Sequence, residues 1–207
     1  MSAAFLRYTL PMQTTEQVTA LLADMRAADA MTQDMTADKW LRPRSLHPDA
    51  AQFLSLLART ANAQAILEIG TSVGFSTVHL ALAARETGGH VTTLELLPAK
   101  YEAAQANLVR GGLTGVVTQH LGDALALLPT LPGPWDLVFL DPEKELYQDA
   151  WNLFKDAVRP GGLVVADNLL SHAEDLAGYQ EAVRADGRYD TLTVPIGLGL
   201  ELSYRRR

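Results

Sequence analysis

The stretch "LEIGTSVGFSTVHLALA", residues 67–83, decides the fold of this chain. It begins as a short apolar strand that contains one acid, Glu68, continues through a loop with Gly70 and Gly74, and ends in a helical pattern. Glycine lets the backbone of such a loop approach a ligand without an intervening Cβ, and the free N–H groups that start the helix favour negative charge. The stretch therefore predicts the first strand–loop–helix unit of a nucleotide- or nucleoside-binding α/β fold.

The glycine loop alone does not identify the ligand, because its spacing is neither that of a dinucleotide fingerprint nor that of a phosphate loop, and glycine at this turn also serves packing. Glu95 sharpens the prediction, since a carboxylate at the end of the second strand can accept both hydroxyls of a ribose. Asp123, after the third strand, fits either a helix N-cap or a place near the adenine. Glu68 needs a partner in its buried strand, either loop N–H groups or a cationic ligand.

The rest of the chain alternates between strands and helices. From residue 65 onward, five β-rich runs are each followed by a helical pattern, which predicts a parallel sheet with helices on both faces. The final runs, "DTLTVPI" and "GLELSYR", predict an antiparallel hairpin that brings the sheet to seven strands. "RPGG", residues 159–162, is expected to end a helix before the fifth strand. Two amphipathic helices, over residues 14–30 and 47–61, precede the sheet, with an irregular segment between them.

The composition excludes several classes of protein. The 207 residues, 48% apolar and 20% charged, predict one soluble domain, and no apolar run approaches the roughly 20 residues that span a bilayer. A net charge of −7 argues against broad nucleic-acid binding, and the three C-terminal arginines are interpreted as a solvated end. Without cysteine there is no disulfide, thiolate nucleophile or thiolate metal site. The absence of a secretory pattern predicts a cytoplasmic location.

Oxygen-bearing side chains follow two further strands. Asp141 closes the fourth strand, and Asp167 and Asn168 close the fifth. Because ligands of an open parallel sheet lie outside the carboxyl ends of its strands, these three side chains are expected to converge. Such hard donors suit Mg²⁺ or Ca²⁺. The alternative is that the two acids cap helices and that the amide stabilises a turn.

Lys144 stands three residues after Asp141, where the chain enters a helix. A lysine at such a position is ordinarily a solvated surface residue. Beside a divalent cation, however, its ammonium would be repelled and would lose its proton more readily, and the amine could then act as a general base.

Taken together, the motifs "LEIGTSVGFSTVHLA", "TLEL", "GDAL", "DLVFLDPEKELY", "VVADN" and "VPIGLGLELSYRR" resemble the divalent-cation-dependent class I O-methyltransferases. This family contains the catechol and caffeoyl-CoA O-methyltransferases and their bacterial relatives. The resemblance runs from residue 65 to the end of the chain. It implies a Rossmann-like class I methyltransferase fold, S-adenosylmethionine (SAM) in the glycine loop, and methyl transfer to a hydroxyl of a small catechol-like or vicinal dihydroxy substrate.

The resemblance also implies roles for individual residues. Lys144 would be the catalytic base, with Asp141 beside it, and Asp141, Asp167 and Asn168 would hold Mg²⁺ or another divalent cation such as Ca²⁺ or Mn²⁺. The implied SAM-binding set is Glu68, Gly70, Thr71, Ser72, Gly74, Ser76, Glu95, Asp123, Ala124 and Asp141. Residues 63–207 would form the SAM-binding core of a single domain, and residues 1–62 a helical segment that contributes to the substrate pocket and to a homodimer.

Two departures from the family pattern leave the substrate open. Pro142 and Glu143 replace the middle of the usual "DADK", and Leu198 replaces an acid in "PIGDGL". One alternative function within the same fold is methylation of a hydroxyuridine in tRNA, which the acidic charge disfavours. Another, from a different class, is an NAD-dependent oxidoreductase, for which Glu95 would serve equally well but the oxygen-rich trio would have no use.

Overall fold

The computed structural model describes residues 15–35, 40, 42–131 and 133–207. The first residue of the first predicted helix and part of the predicted irregular segment, residues 36–39 and 41, lie outside this range. Among the described helices, none is long and apolar enough to cross a membrane.

Seven strands form one sheet in the order β3-β2-β1-β4-β5-β7-β6. Strands β1 to β5 run parallel, and β7 is antiparallel to both β5 and β6. This confirms the predicted mostly parallel sheet with a C-terminal antiparallel hairpin. The strands are β1 (Ala65–Ile69), β2 (His90–Glu95), β3 (Val117–Leu121), β4 (Trp135–Leu140), β5 (Val158–Ala166), β6 (Tyr189–Val194) and β7 (Leu200–Arg205).

Helices cover both faces of the sheet, as predicted. They are α1 (Thr15–Met35), α2 (Pro48–Thr60), α3 (Phe75–Thr87), α4 (Pro98–Arg110), α5 (Ala124–Leu127), α6 (Tyr147–Phe154) and α7 (Ala177–Ala185). Helices α1 to α4 contribute to the hydrophobic cluster on one face, and α5 to α7 pack with the cluster on the other. The two helices that precede the sheet thus share a core with the helices that follow β1 and β2.

The centre of the sheet positions the site. Strands β1 and β4 are neighbours, and nearly all of their apolar side chains are buried because helices cover both faces. The chain proceeds outward from β1 to β2 and β3 on one side, and from β4 to β5 on the other. The crevice at this reversal, outside the carboxyl ends of the strands, is the ligand position of open α/β sheets.

Two boundaries differ from the predicted ones. Helix α1 continues to Met35, five residues beyond the predicted end, since neither glycine nor proline interrupts it. "RPGG" does not precede β5 but lies within it, where the pairing with β4 shifts between Trp135 and Leu137. Pro160 donates no N–H and Gly161 has φ +84°, so this stretch forms an irregularity in the strand.

Candidate active site

The two glycines of the first loop have different structural causes. Gly70 has φ +100°, and a Cβ there would lie 2.3 Å from the backbone oxygen of Asp141. The loop after β1 therefore touches the end of β4 through main-chain atoms, and a side chain at residue 70 would separate them. Gly74 has φ +88° at the N-cap of α3, and a Cβ there would lie 3.2 Å from Ala104 Cβ on α4. The glycine at residue 74 is therefore explained by the close packing of this loop on α4.

A cavity opens above this loop and extends past the ends of β2 and β4. Glu68 and Gly74 are not among its lining residues. Eight of the ten residues that the resemblance assigned to SAM do line it, namely Gly70, Thr71, Ser72, Ser76, Glu95, Asp123, Ala124 and Asp141. Asp123 caps α5 by accepting a hydrogen bond of 2.9 Å from Leu125 N–H, and it also lines the cavity, while its place near the adenine stays a prediction.

The carboxylate of Glu95 is oriented by the backbone around it. Its Oε2 accepts from the N–H of Ser72 at 2.7 Å, and its Oε1 accepts from the N–H of Leu97 at 2.9 Å. Each oxygen keeps lone pairs for a further donor. Glu95 thus presents an immobilised acceptor pair, which suits the vicinal hydroxyls of a ribose and fits the adenosyl part of SAM.

Glu68 lies fully buried beneath the loop. Side-chain hydroxyls, rather than the expected loop N–H groups, satisfy it: Ser76 donates at 2.6 Å, Thr77 at 2.5 Å and Thr93 at 2.6 Å. Burial raises the pKa of Glu68 to about 7, against the lowering effect of these three hydrogen bonds. Because its partners belong to α3 and β2, Glu68 connects β1 with both of these elements beneath the glycine loop.

Asp141, Asp167 and Asn168 meet at the ends of β4 and β5, as the sequence predicted. The amide of Asn168 donates to Asp141 Oδ1 at 2.8 Å and to Asp167 Oδ2 at 3.1 Å, and the residue has φ +70°. The other oxygen of Asp167, Oδ1, is buried and has no hydrogen-bond partner among the residues that the structure describes. Burial raises the pKa of Asp167, and the nearby charge of Asp141 raises it further.

Lys144 is not a solvated surface residue, since only 9% of its side chain is exposed. Its Nζ lies 3.3 Å from Asp141 Oδ1 and 3.2 Å from the hydroxyl of Tyr147. Tyr147 is fully buried, and its hydroxyl also donates to the backbone oxygen of Asp167 at 3.1 Å. Lys144 is therefore fixed at the edge of the oxygen cluster, with Tyr147 supporting both.

A second cavity lies beside the first and is lined by Arg42, Arg44, Glu143, Lys144, Glu145, His172 and Asp175. Arg44 and Glu143 line both cavities and form an ion pair with each other. The segment before α2 that carries Arg44 is also held by a hydrogen bond from the Ser72 hydroxyl to Pro43 O. The Arg44–Glu143 pair thus forms part of the wall between the two cavities, and it gives Glu143, one of the departures from the family pattern, a defined contact.

The other departures have simpler surroundings. Pro142 O accepts a hydrogen bond of 3.3 Å from Lys144 Nζ. Leu198, in the turn between β6 and β7, is 48% exposed, and its backbone oxygen accepts from the N–H groups of Leu170 and Ser171 at 3.1 Å each. The turn therefore packs on the loop that follows Asn168 through main-chain atoms, which a change of side chain at residue 198 leaves intact.

Several residues of the site were not found from the sequence, and three of them show why. Tyr147 follows Lys144 by three positions, so the helical period could have placed both on one face. Lys100, which lines the first cavity, stands five residues after Glu95, but nothing in the sequence shows where its side chain points. Arg44 meets Glu143 across 99 residues of chain, and no local pattern signals that contact.

A seven-stranded sheet of this order, with a glycine loop after β1 and an acid held by backbone N–H groups at the end of β2, defines a class I methyltransferase. Residues 22–206 match the family model described as O-methyltransferase, and the chain belongs to that family.

Similar proteins agree with this assignment. A catechol O-methyltransferase of Niastella koreensis is 36% identical over 154 residues, which cover 72% of this chain and 69% of the relative. A catechol O-methyltransferase of Mycobacterium tuberculosis is 42% identical over 134 residues, 63% of this chain and 60% of the relative. The crystal structure of the O-methyltransferase TomG from Streptomyces achromogenes in complex with SAM has a TM-score of 0.78 and 25% identity, and covers 96% of this chain and 93% of that one.

The protein is therefore a SAM-dependent O-methyltransferase of the catechol and caffeoyl-CoA type. Of the two cofactor classes that Glu95 left open, family membership selects SAM over NAD. The residues of the first cavity fit this cofactor, because Gly70 leaves the loop free of a side chain and the acceptor pair of Glu95 is already oriented.

Proposed function

We propose that the protein methylates one hydroxyl of a small catechol-like or other vicinal dihydroxy compound, with a divalent cation bound by Asp141, Asp167 and Asn168 and with Lys144 as the general base. Mg²⁺ is the proposed cation, with Ca²⁺ or Mn²⁺ as alternatives that share its preference for oxygen donors. The acceptor is expected to enter through the second cavity, which Lys144 borders.

The observation that carries the proposal is the unsatisfied Oδ1 of Asp167. A buried carboxylate oxygen without a donor is costly, and here it lies in a cluster that already holds a second carboxylate. A divalent cation would supply the missing partner of this oxygen and would reduce the repulsion between the two acids. The side-chain amide of Asn168 now donates to both acids, and rotating it by half a turn would present its oxygen to a cation.

SAM and the cation would each supply one part of the chemistry. SAM supplies a methyl group that its sulfonium already activates, and the cation would supply Lewis acidity that makes a nearby hydroxyl more acidic. The protein's own part is to align an oxygen nucleophile with the methyl carbon and to exclude water. Lys144 would accept the proton of the attacking hydroxyl, for which its amine must be neutral. Its restricted exposure and its contacts with Asp141 and Tyr147 hold Nζ at one place.

A small-molecule acceptor is favoured over tRNA by charge. The net charge of the chain is −7. The described residues that line the second cavity include three acids, Glu143, Glu145 and Asp175, as well as basic residues. A surface that neutralises several phosphates would need an excess of lysine and arginine.

The test is a methyl-transfer screen with labelled SAM over catechols, hydroxycinnamoyl thioesters, flavonoids and bulk tRNA, each with Mg²⁺ and with chelator. The expected result is transfer to a vicinal dihydroxy compound that stops with chelator and returns with Mg²⁺. Transfer that is insensitive to chelator would rule out the metal role. Label appearing in tRNA alone would replace the small-molecule acceptor by the hydroxyuridine alternative.

A further inference from the structure

Lys100 lies in the first turn of α4 and lines the first cavity, the one proposed to bind SAM. It lines the same cavity as Glu95 and is half-buried. Burial lowers the pKa of Lys100, and among the charges that act on it the carboxylate of Glu95 has the largest effect, opposing that shift. Lys100 is therefore partly removed from water in the cavity that Glu95 also lines.

The ammonium of Lys100 has no hydrogen bond or ion pair within the described part of the chain. No ion pair joins Lys100 to Glu95 within the described part of the chain, and the carboxylate of Glu95 is oriented instead by the backbone N–H groups of Ser72 and Leu97. A half-buried ammonium with three free donors is unfavourable unless water or a ligand accepts from it. The cavity thus contains a fixed acceptor pair and a free donor side by side.

A vicinal diol complements this arrangement. A hydroxyl that donates its proton to a carboxylate still has two lone pairs on its oxygen, and these need a donor once water is excluded. Glu95 supplies the acceptor for the ribose hydroxyls, but it cannot supply a donor. The charged donors among the described residues that line this cavity are the amine of Lys100 and the guanidinium of Arg44, and Arg44 is already paired with Glu143.

We infer that Lys100 is a further cofactor-binding residue, whose ammonium donates a hydrogen bond to a ribose hydroxyl that in turn donates to Glu95. The ribose is then held from both sides, by an acceptor oriented by the backbone and by a donor on a flexible stem. The inference rests on SAM binding alone and is independent of the cation, the acceptor substrate and Lys144.

The test measures binding of S-adenosylhomocysteine by isothermal titration calorimetry, without metal or acceptor, so that it succeeds or fails separately from the proposed catalytic function. The variants are Lys100→Met, which keeps the apolar stem, and Lys155→Met as the matched control. Lys155 lies after α6, where its Nζ contacts Asn152 at 3.1 Å. Each protein is titrated with S-adenosylhomocysteine and with its 2′-deoxy and 3′-deoxy analogues.

Lys100→Met should weaken binding of S-adenosylhomocysteine about tenfold, the usual scale for one hydrogen bond to a charged group, whereas Lys155→Met should not change it. For each ligand, the effect of the substitution is the dissociation constant of Lys100→Met divided by that of the wild type. This ratio should be close to one for the deoxy analogue that lacks the oxygen bonded by Lys100, and close to one for both analogues if Lys100 bonds both oxygens. An unchanged affinity for S-adenosylhomocysteine overturns the inference. So does an equal loss for all three ligands, because that would mean that Lys100 acts on something other than the diol.

Discussion

The Nζ atom of Lys144 lies 3.3 Å from Oδ1 of Asp141, and the same oxygen accepts the amide of Asn168 at 2.8 Å. One carboxylate oxygen is thus shared between the proposed base and a proposed metal ligand. A cation bound at the proposed site would compete with Lys144 for this oxygen.

Lys144→Ala should lower the turnover number about 10²- to 10⁴-fold, the range that a positioned general base contributes. The affinity of the variant for S-adenosylhomocysteine should stay within twofold of the wild-type value, because Lys144 does not line the first cavity. Steady-state kinetics and calorimetry measure the two quantities, with Lys155→Ala as the control for loss of a lysine. A fully active Lys144→Ala variant would refute the base assignment.

Asp167→Asn should stabilise the cation-free protein. Burial and the charge of Asp141 raise the pKa of Asp167, so its ionised form is unfavourable in the fold, and removing that charge should raise the melting temperature in chelator at pH 8 by about 4 °C. The upward shift that Mg²⁺ gives the wild type should in turn shrink, because a ligand is lost. Thermal melts with and without Mg²⁺ measure both effects. Asp149→Asn, at an exposed position of α6, is the control, and an equal Mg²⁺ shift in wild type and Asp167→Asn would contradict the metal site.

Glu68 should make stability fall as pH rises through the neutral range. Its pKa is raised in the folded protein from an ordinary 4.5 to about 7, so the stability that the protonated form provides is complete below pH 4.5 and is lost as pH rises toward and through 7. The shift corresponds to about 3 kcal/mol. Denaturant unfolding at pH 5 and pH 8 should therefore show a smaller difference in Glu68→Gln than in the wild type. Glu102→Gln, exposed on α4, should behave like the wild type, and identical pH dependence in Glu68→Gln would exclude the effect.

Arg44→Ala should accelerate release of S-adenosylhomocysteine. The guanidinium pairs with Glu143 in the wall between the two cavities, where the two side chains are 36% and 24% exposed. A pair of that exposure contributes modestly, so the expected increase in dissociation rate is about threefold. Stopped-flow displacement measures this rate, and Arg59→Ala, which breaks the remote pair with Glu86, is the control. Restoration of slow release by the exchange Arg44→Glu with Glu143→Arg would support the pairing, and an unchanged rate in Arg44→Ala would contradict it.

The sheet and the ends of its strands were predictable because they follow from local patterns. Fully apolar runs such as "LVFL" mark buried parallel strands, and the residues after them must meet at one edge of the sheet, which is why Asp141, Asp167 and Asn168 could be placed together. Glycine and proline were less reliable guides, since Pro160 and Gly161 occupy an irregular stretch within β5.

The contacts that depend on side-chain direction or on distant segments could not be predicted. The hydroxyl partners of Glu68 come from α3 and β2, and Arg44 reaches Glu143 from a segment before the first strand. No sequence period relates such positions. The division of the chain into a helical segment and a core, the homodimer and the cytoplasmic location stay predictions.

The contact between Gly70 and Asp141 limits how the specificity of this enzyme can be redesigned. Because the loop after β1 and the end of β4 meet through main-chain atoms, neither can be exchanged without displacing the other. The segment that contains Pro43 and Arg44 and the turn that contains Leu198 approach the site from outside this junction. New acceptor preferences are therefore best sought by exchanging these two segments between relatives while the strand ends are kept unchanged.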